Sequence, residues 1–405
     1  MLALYCCSAV SLFIKLIGVY KVRSRTLPIF SLGFRPFYLC AALWSALALF
    51  EWLLELNGYG LRSQQFIVGM QWHAHEMLFG FAATVIAGFS LTAVRAWTGL
   101  ETPTGRSLAL LVLLWLLGRI GPLLNPFLAI FDIAFLPVIA IVIGRLIYRR
   151  RMLRNLFLPM IILALGFLNV LFYLAALGYI SIDPNPLLFI ALYLITMIEV
   201  MIGGRVIPSF TANAVPGIQQ FRHPTLAKAT LIFTAITFLT LAFFTPNIIS
   251  ATLCIITATL HAILLWGWRP LETKNKPILW ILHISYAWLV LGFSLLGIYS
   301  FKLVSIYPAL HAFGIGATGG LIIGMITRTA LGHTGRPLAA GKIEHVCYLL
   351  VPCAATIWLI AHLAPSNLFN ALLIISGACW CLAFFLYLYK YSPIMFSADF
   401  NKAAK

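Results

Sequence analysis

Long apolar runs broken by short polar links organise this chain. Runs bounded by charge, proline or glycine fall at 37–56, 72–94, 107–124, 127–147, 156–179, 187–207, 228–244, 248–267, 278–298, 308–327, 346–363 and 368–389. Each is close to the roughly 20 residues that an α-helix needs to cross the hydrocarbon core of a bilayer. The links are brief. Thr245-Pro246-Asn247 joins spans seven and eight, and Asp183-Pro184-Asn185-Pro186 joins spans five and six. No soluble domain fits between spans, and no low-complexity stretch or short-period repeat interrupts them. The predicted fold class is all-α, a polytopic membrane protein of about twelve transmembrane helices. A single membrane domain is expected over 28–390, after an extension at 1–27 and before a short basic tail at 391–405. In residues 1–20 the apolar run before Lys15 is too short to span, and basic residues follow it where a cleaved signal peptide has them first. This segment reads as an interfacial or poorly ordered extension.

Composition changes the picture by exclusion. The chain is 62% hydrophobic and 9% charged, with a mean hydropathy of +1.01. A soluble domain keeps about a quarter of its residues charged, so a globular cytosolic protein, a disordered tail and a coiled coil are all ruled out. The formal charge of +17, from 27 Lys+Arg against 10 Asp+Glu, would suggest nucleic acid in a soluble domain. Here the basic residues sit in links between apolar runs, so they read as topology determinants and no nucleic-acid partner is expected. Both termini and the even-numbered links hold all of them except Arg62, Arg119 and Lys302. Cytoplasmic links carry the Lys and Arg excess, so both termini are predicted to be cytoplasmic and the odd-numbered links external. The 8 cysteines avoid the predicted outer links and offer no disulfide framework.

Ionisable groups inside a span are functional candidates by default. Position along an oriented helix gives depth at 1.5 Å per residue. His73 and His75 open span two, His311 opens span ten and His362 ends span eleven, all at the predicted outer level. His261 ends span eight and His283 begins span nine, each about 10 Å below the predicted inner surface. His333, in Gly332-His333-Thr334-Gly335-Arg336, approaches from the same side. Two histidine levels therefore emerge, one per leaflet. Neutral imidazole is the commonest metal ligand and often holds haem iron, and His261 and His283 could supply opposed imidazoles for a haem. His73 and His75, two residues apart, point to different sides of a helix, whereas His73 shares a face with Glu76 and Met77. A copper site drawing on His73, His75, His311, Met77 and Glu76 is chemically reasonable, because imidazole suits copper and a thioether suits Cu(I). Arg35, Arg205 and Arg328 sit at inner span edges and could clamp propionates or phosphates or simply snorkel. Equally, a lone intramembrane histidine can be a helix–helix hydrogen bond. His223, His345 and His362 read as solvated, and Trp72, Trp97, Trp266, Trp268 and Trp358 as belt or lipid-facing residues. Span ten carries overlapping GxxxG spacings at 316–320 and 320–324, read as close helix packing or as room for a flat macrocycle. Glu199, near the midplane of span six, is protonated, paired with an arginine such as Arg205, or part of a proton or ion path.

Four segments together resemble the NnrS family. They are Phe30-Ser31-Leu32-Gly33-Phe34-Arg35-Pro36-Phe37; Trp72-His73-Ala74-His75-Glu76-Met77-Leu78-Phe79-Gly80-Phe81, continuing to Ala87-Gly88-Phe89; Gly203-Gly204-Arg205-Val206-Ile207-Pro208-Ser209-Phe210-Thr211; and Met325-Ile326-Thr327-Arg328 through Leu331-Gly332-His333-Thr334-Gly335-Arg336-Pro337-Leu338. The resemblance covers roughly 28–390. One departure is Val94-Arg95-Ala96-Trp97-Thr98-Gly99, where the family pattern has Pro-Asn before Trp-Thr-Gly. The resemblance implies a twelve-span protein of the bacterial inner membrane that contains haem b and copper. It further implies action in the nitric oxide response, with nitric oxide as ligand and relief of nitrosative stress as the outcome. It does not specify ligands, a redox partner or a reaction. Two other classes suit twelve spans. A secondary transporter would be revealed by substrate accumulation driven by an ion gradient, and 95–107 lacks the major-facilitator loop pattern. A respiratory enzyme reducing nitric oxide or oxygen would show turnover with a reduced donor, but the chain has neither an adjacent His-His pair nor His-Pro-Glu-Val.

Overall fold

A computed structural model describes residues 27–60, 66–67 and 69–399. Most of the proposed N-terminal extension, the basic Arg62 and the last residues of the tail lie outside the described residues. Within them, twelve helices are long and apolar enough to cross a membrane, and no strand occurs. They are α1 Phe34–Leu56, α2 Gly69–Thr98, α3 Arg106–Leu124, α4 Pro126–Arg149, α5 Leu153–Ala176 and α6 Pro184–Ala214, followed by α7 Pro224–Phe243, α8 Ile248–Gly267, α9 Pro277–Ser300, α10 Tyr307–His333, α11 Lys342–Leu363 and α12 Ser366–Phe396. Every predicted span is present. Four of them, α2, α6, α10 and α12, run beyond their apolar stretch at the even-link end. The 31-residue α6 and α12 are about 46 Å long, more than the roughly 30 Å hydrocarbon core requires. The departure at 94–99 is helical: α2 continues through it and ends at Gly99, whose φ of +64° caps the last turn while its N–H bonds Arg95 O at 2.9 Å.

The tight links work because their residues satisfy the exposed helix ends. Asn247 Oδ1 accepts from Ile249 N and Ser250 N at 2.8 and 3.2 Å, while Ser250 Oγ accepts from Asn247 N at 2.9 Å, a reciprocal cap that starts α8. Asp183 Oδ1 accepts from Asn185 N at 3.0 Å in the same way ahead of α6.

The chain divides into two compact units. The first comprises residues up to Ala191 with Gly332–Arg336 and 388 onward. In it α1 packs on α2, α2 on α4, and α4 on α3 and α5. Its lateral faces separate by size, since both sides are apolar. Leu43, Leu47 and Phe50 of α1 are exposed at helical spacing, whereas Phe37, Tyr38, Ala41, Ala42 and Ser45 are fully buried. Small residues let backbones approach and large ones face lipid. The second unit, Leu192–Leu331 with Pro337–Tyr387, packs α7 on α8, α8 on α9, and α9 and α11 on α10.

The glycine stripe of α10 resolves toward packing. A Cβ at Gly316 would meet Trp288, at Gly319 Trp380, at Gly320 Ser285 and at Gly324 Leu282. Gly314 differs, with open space where its Cβ would be. Three tryptophans also depart from expectation. Trp72, Trp268 and Trp358 are buried, whereas Trp266 is exposed as predicted. Trp268 turns inward to meet Tyr286 edge-on at 4.5 Å, and Trp358 is held between two imidazoles, described below.

Candidate functional site

In the first unit the half nearest the odd-numbered links contains a buried ionic network. Glu76, at the first turn after His75, is its centre. Its Oε1 lies 2.8 Å from His75 Nδ1, and its Oε2 accepts from Arg119 Nη1 at 2.7 Å and from Trp44 Nε1 at 2.6 Å. Arg119 also pairs with Asp132, whose other oxygen accepts from the Tyr173 hydroxyl at 2.9 Å. His75 Nε2 faces Asn169 Oδ1 at 2.9 Å, with Asp132 Oδ2 at 3.4 Å. Glu76, Arg119, Asp132, Asn169 and His75 are each at most 5% exposed. Five helices thus meet at one guanidinium and two carboxylates. Uncompensated, such charges would be prohibitive in a bilayer; paired and hydrogen-bonded, they lock the helices together.

Local sequence explains how α2 delivers Glu76. The helix changes from α to π geometry over Glu76–Ala82, directly after His75. His75 ends the α segment and Glu76 opens the π segment, and both side chains enter the same network. Gly80 lies one turn on, and a Cβ there would come within 2.7 Å of Glu76 Oε2 and 2.6 Å of Trp44 Nε1, so the Trp44–Glu76 bond needs glycine at this position. His73 points elsewhere, as its spacing predicts, and stacks on Trp52 with centroids 5.3 Å apart at 12°. Met77 is half-buried and outside the network.

The same unit holds two of the proposed cofactor-binding residues, Arg35 and His333, at the opposite end. Arg35 is 1% exposed. It donates from Nη1 to Met395 O and Ser397 O, both at 2.7 Å, and from Nη2 to Asp399 Oδ1 at 2.5 Å. Arg336 Nη2 reaches Ser397 Oγ at 3.1 Å. His333 is exposed and lies 5.6 Å from the Phe34 ring. Arg35 therefore fastens the end of α12. Arg35→Ala is expected to leave two carbonyls unsatisfied, at about 1–3 kcal/mol each, and to speed tryptic cleavage after Lys390; cleavage at the wild-type rate would contradict this role.

In the second unit, His261 and His283 lie on adjacent helices but not at the predicted common level. His283 is opposite Trp268, with ring centroids 6.4 Å apart, whereas His261, two turns earlier in the chain than Trp268, is opposite Phe293. His261 uses both ring nitrogens, Nε2 with Thr234 Oγ1 at 2.9 Å and Nδ1 with the Tyr286 hydroxyl at 2.8 Å, and it stacks on Phe293 at 5.1 Å. His283 Nε2 meets Thr211 Oγ1 at 2.9 Å, while its Nδ1 is buried with no hydrogen-bond partner among the described residues. Arg328 has its guanidinium 3.8 Å above the Phe210 ring, next in sequence to Thr211. Arg205 is exposed. At the odd-link end, His311 Nδ1 faces Tyr307 O at 3.0 Å and its ring stacks on Trp358 at 3.6 Å. His362 lies 3.8 Å from the same indole, so it is packed rather than solvated. His223 and His345 are exposed, as expected. As in α2, a π segment, Ala312–Gly319, follows directly after the histidine.

Sequence reasoning thus found His75 and Glu76 but missed Arg119, Asp132 and Asn169. Arg119 was counted with an external link; it is a buried side chain of α3, and its removal from that count leaves the charge division sharper. The signal was present, since each of the three is a polar or charged residue within an apolar run. Among the described residues no three His, Cys, Asp or Glu side chains are grouped to hold a metal ion; in this network Arg119 stands between the carboxylates of Glu76 and Asp132.

A search of curated proteins returned no match. The family described as NnrS protein, by contrast, matches residues 28–398. That match takes in all twelve helices to just past the end of α12, and with it the histidine-bearing starts of α2 and α10. The chain therefore belongs to the NnrS family, a membership that suggests a membrane protein of the nitric oxide response.

Proposed function

We propose that this protein binds haem b and copper in the bacterial inner membrane and relieves nitrosative stress, with nitric oxide as its ligand. The family match over nearly the whole chain carries the reading. His283 adds a structural reason. Its imidazole is fixed at Nε2 by Thr211, leaving a buried Nδ1 without a partner, and an axial ligand to haem iron needs such a nitrogen with its other ring atom held. Arg328, close by on the Phe210 ring, and Arg205 would meet propionates. His261 would serve beside them as a packed neighbour, since Thr234 and Tyr286 already engage its nitrogens. Bound haem would supply an iron centre able to take up nitric oxide.

For copper we retain as separate candidates His73 and Met77 in the first unit and His311 in the second. His75 and Glu76 do not fit, because their nitrogens and oxygens are committed to each other, Asn169, Arg119 and Trp44. The purified protein is expected to show a Soret band and to contain copper by elemental analysis; the absence of both would reject the reading. His283→Ala is expected to abolish the Soret band while copper survives, and His261→Gln to retain it. A Soret band undiminished in His283→Ala would overturn the haem assignment.

A further inference from the structure

Glu199 is the central residue of the 31-residue α6, and none of its bonds or contacts accounts for it. The expected pairing with Arg205 is not seen. Glu199 Oε2 is enclosed and has no hydrogen-bond partner. Thr318, near the middle of α10, is the side chain from another element that acts on the carboxyl, and no charged group among the described residues does so.

The threonines point to what fills the gap. A threonine in a helix usually bonds the carbonyl four residues back. Thr84, Thr92, Thr211, Thr230, Thr234 and Thr327 all do so here. Thr318 and Thr196 do not. Their hydroxyls are buried, at 3% and 0% residue exposure, and unpartnered. Thr196 precedes Glu199 by three residues and so lies on the same face of α6. Thr318 belongs to the π segment of α10, and Gly314, four residues earlier, borders open space. Thr318 acts on the Glu199 carboxyl and Thr196 shares its face of α6, so three enclosed oxygens without hydrogen-bond partners belong to neighbouring positions of the second unit. A buried water typically makes about three hydrogen bonds to groups that would otherwise be unsatisfied.

We propose that Glu199, Thr196 and Thr318 hold a water molecule and form a proton-exchange site at the centre of the second unit. The carboxylic O–H of Glu199 gives its proton to the bound water, which returns one of its own to the carboxylate, so that acid and water are both restored and only the hydrogen has been exchanged. The nearby hydroxyls orient the water without changing the charge. A carboxylate left alone at this depth is costly, which favours the protonated form between transfers.

Infrared difference spectroscopy of the purified protein tests the proposal without reference to any cofactor. A protonated-carboxyl band that shifts in D2O and disappears in Glu199→Gln is expected. Thr318→Val is expected to displace the band by removing one partner of the water. Absence of the band across the accessible pH range would overturn the proposal. So would a band that ignores D2O, or one that persists in Glu199→Gln. If sodium or lithium chloride abolishes the band, the site binds a metal cation and the proton assignment fails. Should Glu199→Gln not fold, Thr318→Val decides alone: a displaced band supports the site and an unmoved one rejects it.

Discussion

Arg119→Met is expected to destabilise the folded protein by about 3–5 kcal/mol, the range seen when one member of a buried charge cluster is removed. Arg119 is 3% exposed and contacts the carboxylates of both Glu76 and Asp132. Without it, two acids on different helices face each other with only His75 between them. Methionine keeps much of the side-chain volume, so the loss reports charge and hydrogen bonding rather than a cavity. Unfolding in a denaturing detergent, followed by circular dichroism, gives the magnitude. The triple variant Arg119→Met, Glu76→Gln, Asp132→Asn is expected to recover most of the loss, because the amides need no counter-charge. An unchanged midpoint in the single variant would show that the network contributes nothing net.

Gly319→Val in α10 is the second large effect, expected to cost about 1–3 kcal/mol by overpacking. A Cβ at 319 would come within 2.7 Å of Trp380 Cη2 and 3.4 Å of Val351 Cγ1. Trp380 is only 4% exposed and is itself packed on Phe384 at 4.8 Å, so the indole has little room to retreat. Gly314→Ala, five residues earlier on the same helix, meets open space and is expected to stay within about 0.5 kcal/mol of wild type. Comparing the two midpoints separates tight packing from a general intolerance of α10 to substitution. Equal losses would remove the packing explanation.

The histidine levels show where sequence reasoning ended. Rise per residue placed His261 and His283 together in depth, but the packing of α8 on α9 sets Phe293 opposite His261 and Trp268 opposite His283, two to three turns apart. Spacing says nothing about rotation either. One imidazole has both nitrogens bonded and the other has a buried nitrogen without a partner, a difference that depends on Thr234 and Tyr286 on one side and Thr211 on the other. In the first unit, helical spacing grouped Glu76 with His73. The structure pairs Glu76 with His75, at the start of the π segment Glu76–Ala82, and nothing in a hydrophobic pattern announces a π turn.

The sequence alone determined the class of the protein and the position of every span. Lipid cannot hydrogen-bond a backbone, so any segment that crosses it must be a helix with an apolar run of sufficient length, and both conditions are local. Only the tertiary structure decided which side of each helix faces inward. With apolar residues on both faces of α1 and its neighbours, periodicity carries no signal, and side-chain size and pairing settle the orientation. The same is true of the network joining Glu76, Arg119, Asp132 and Asn169. Its charges are tolerable only in each other's company, and that company comes from four different helices.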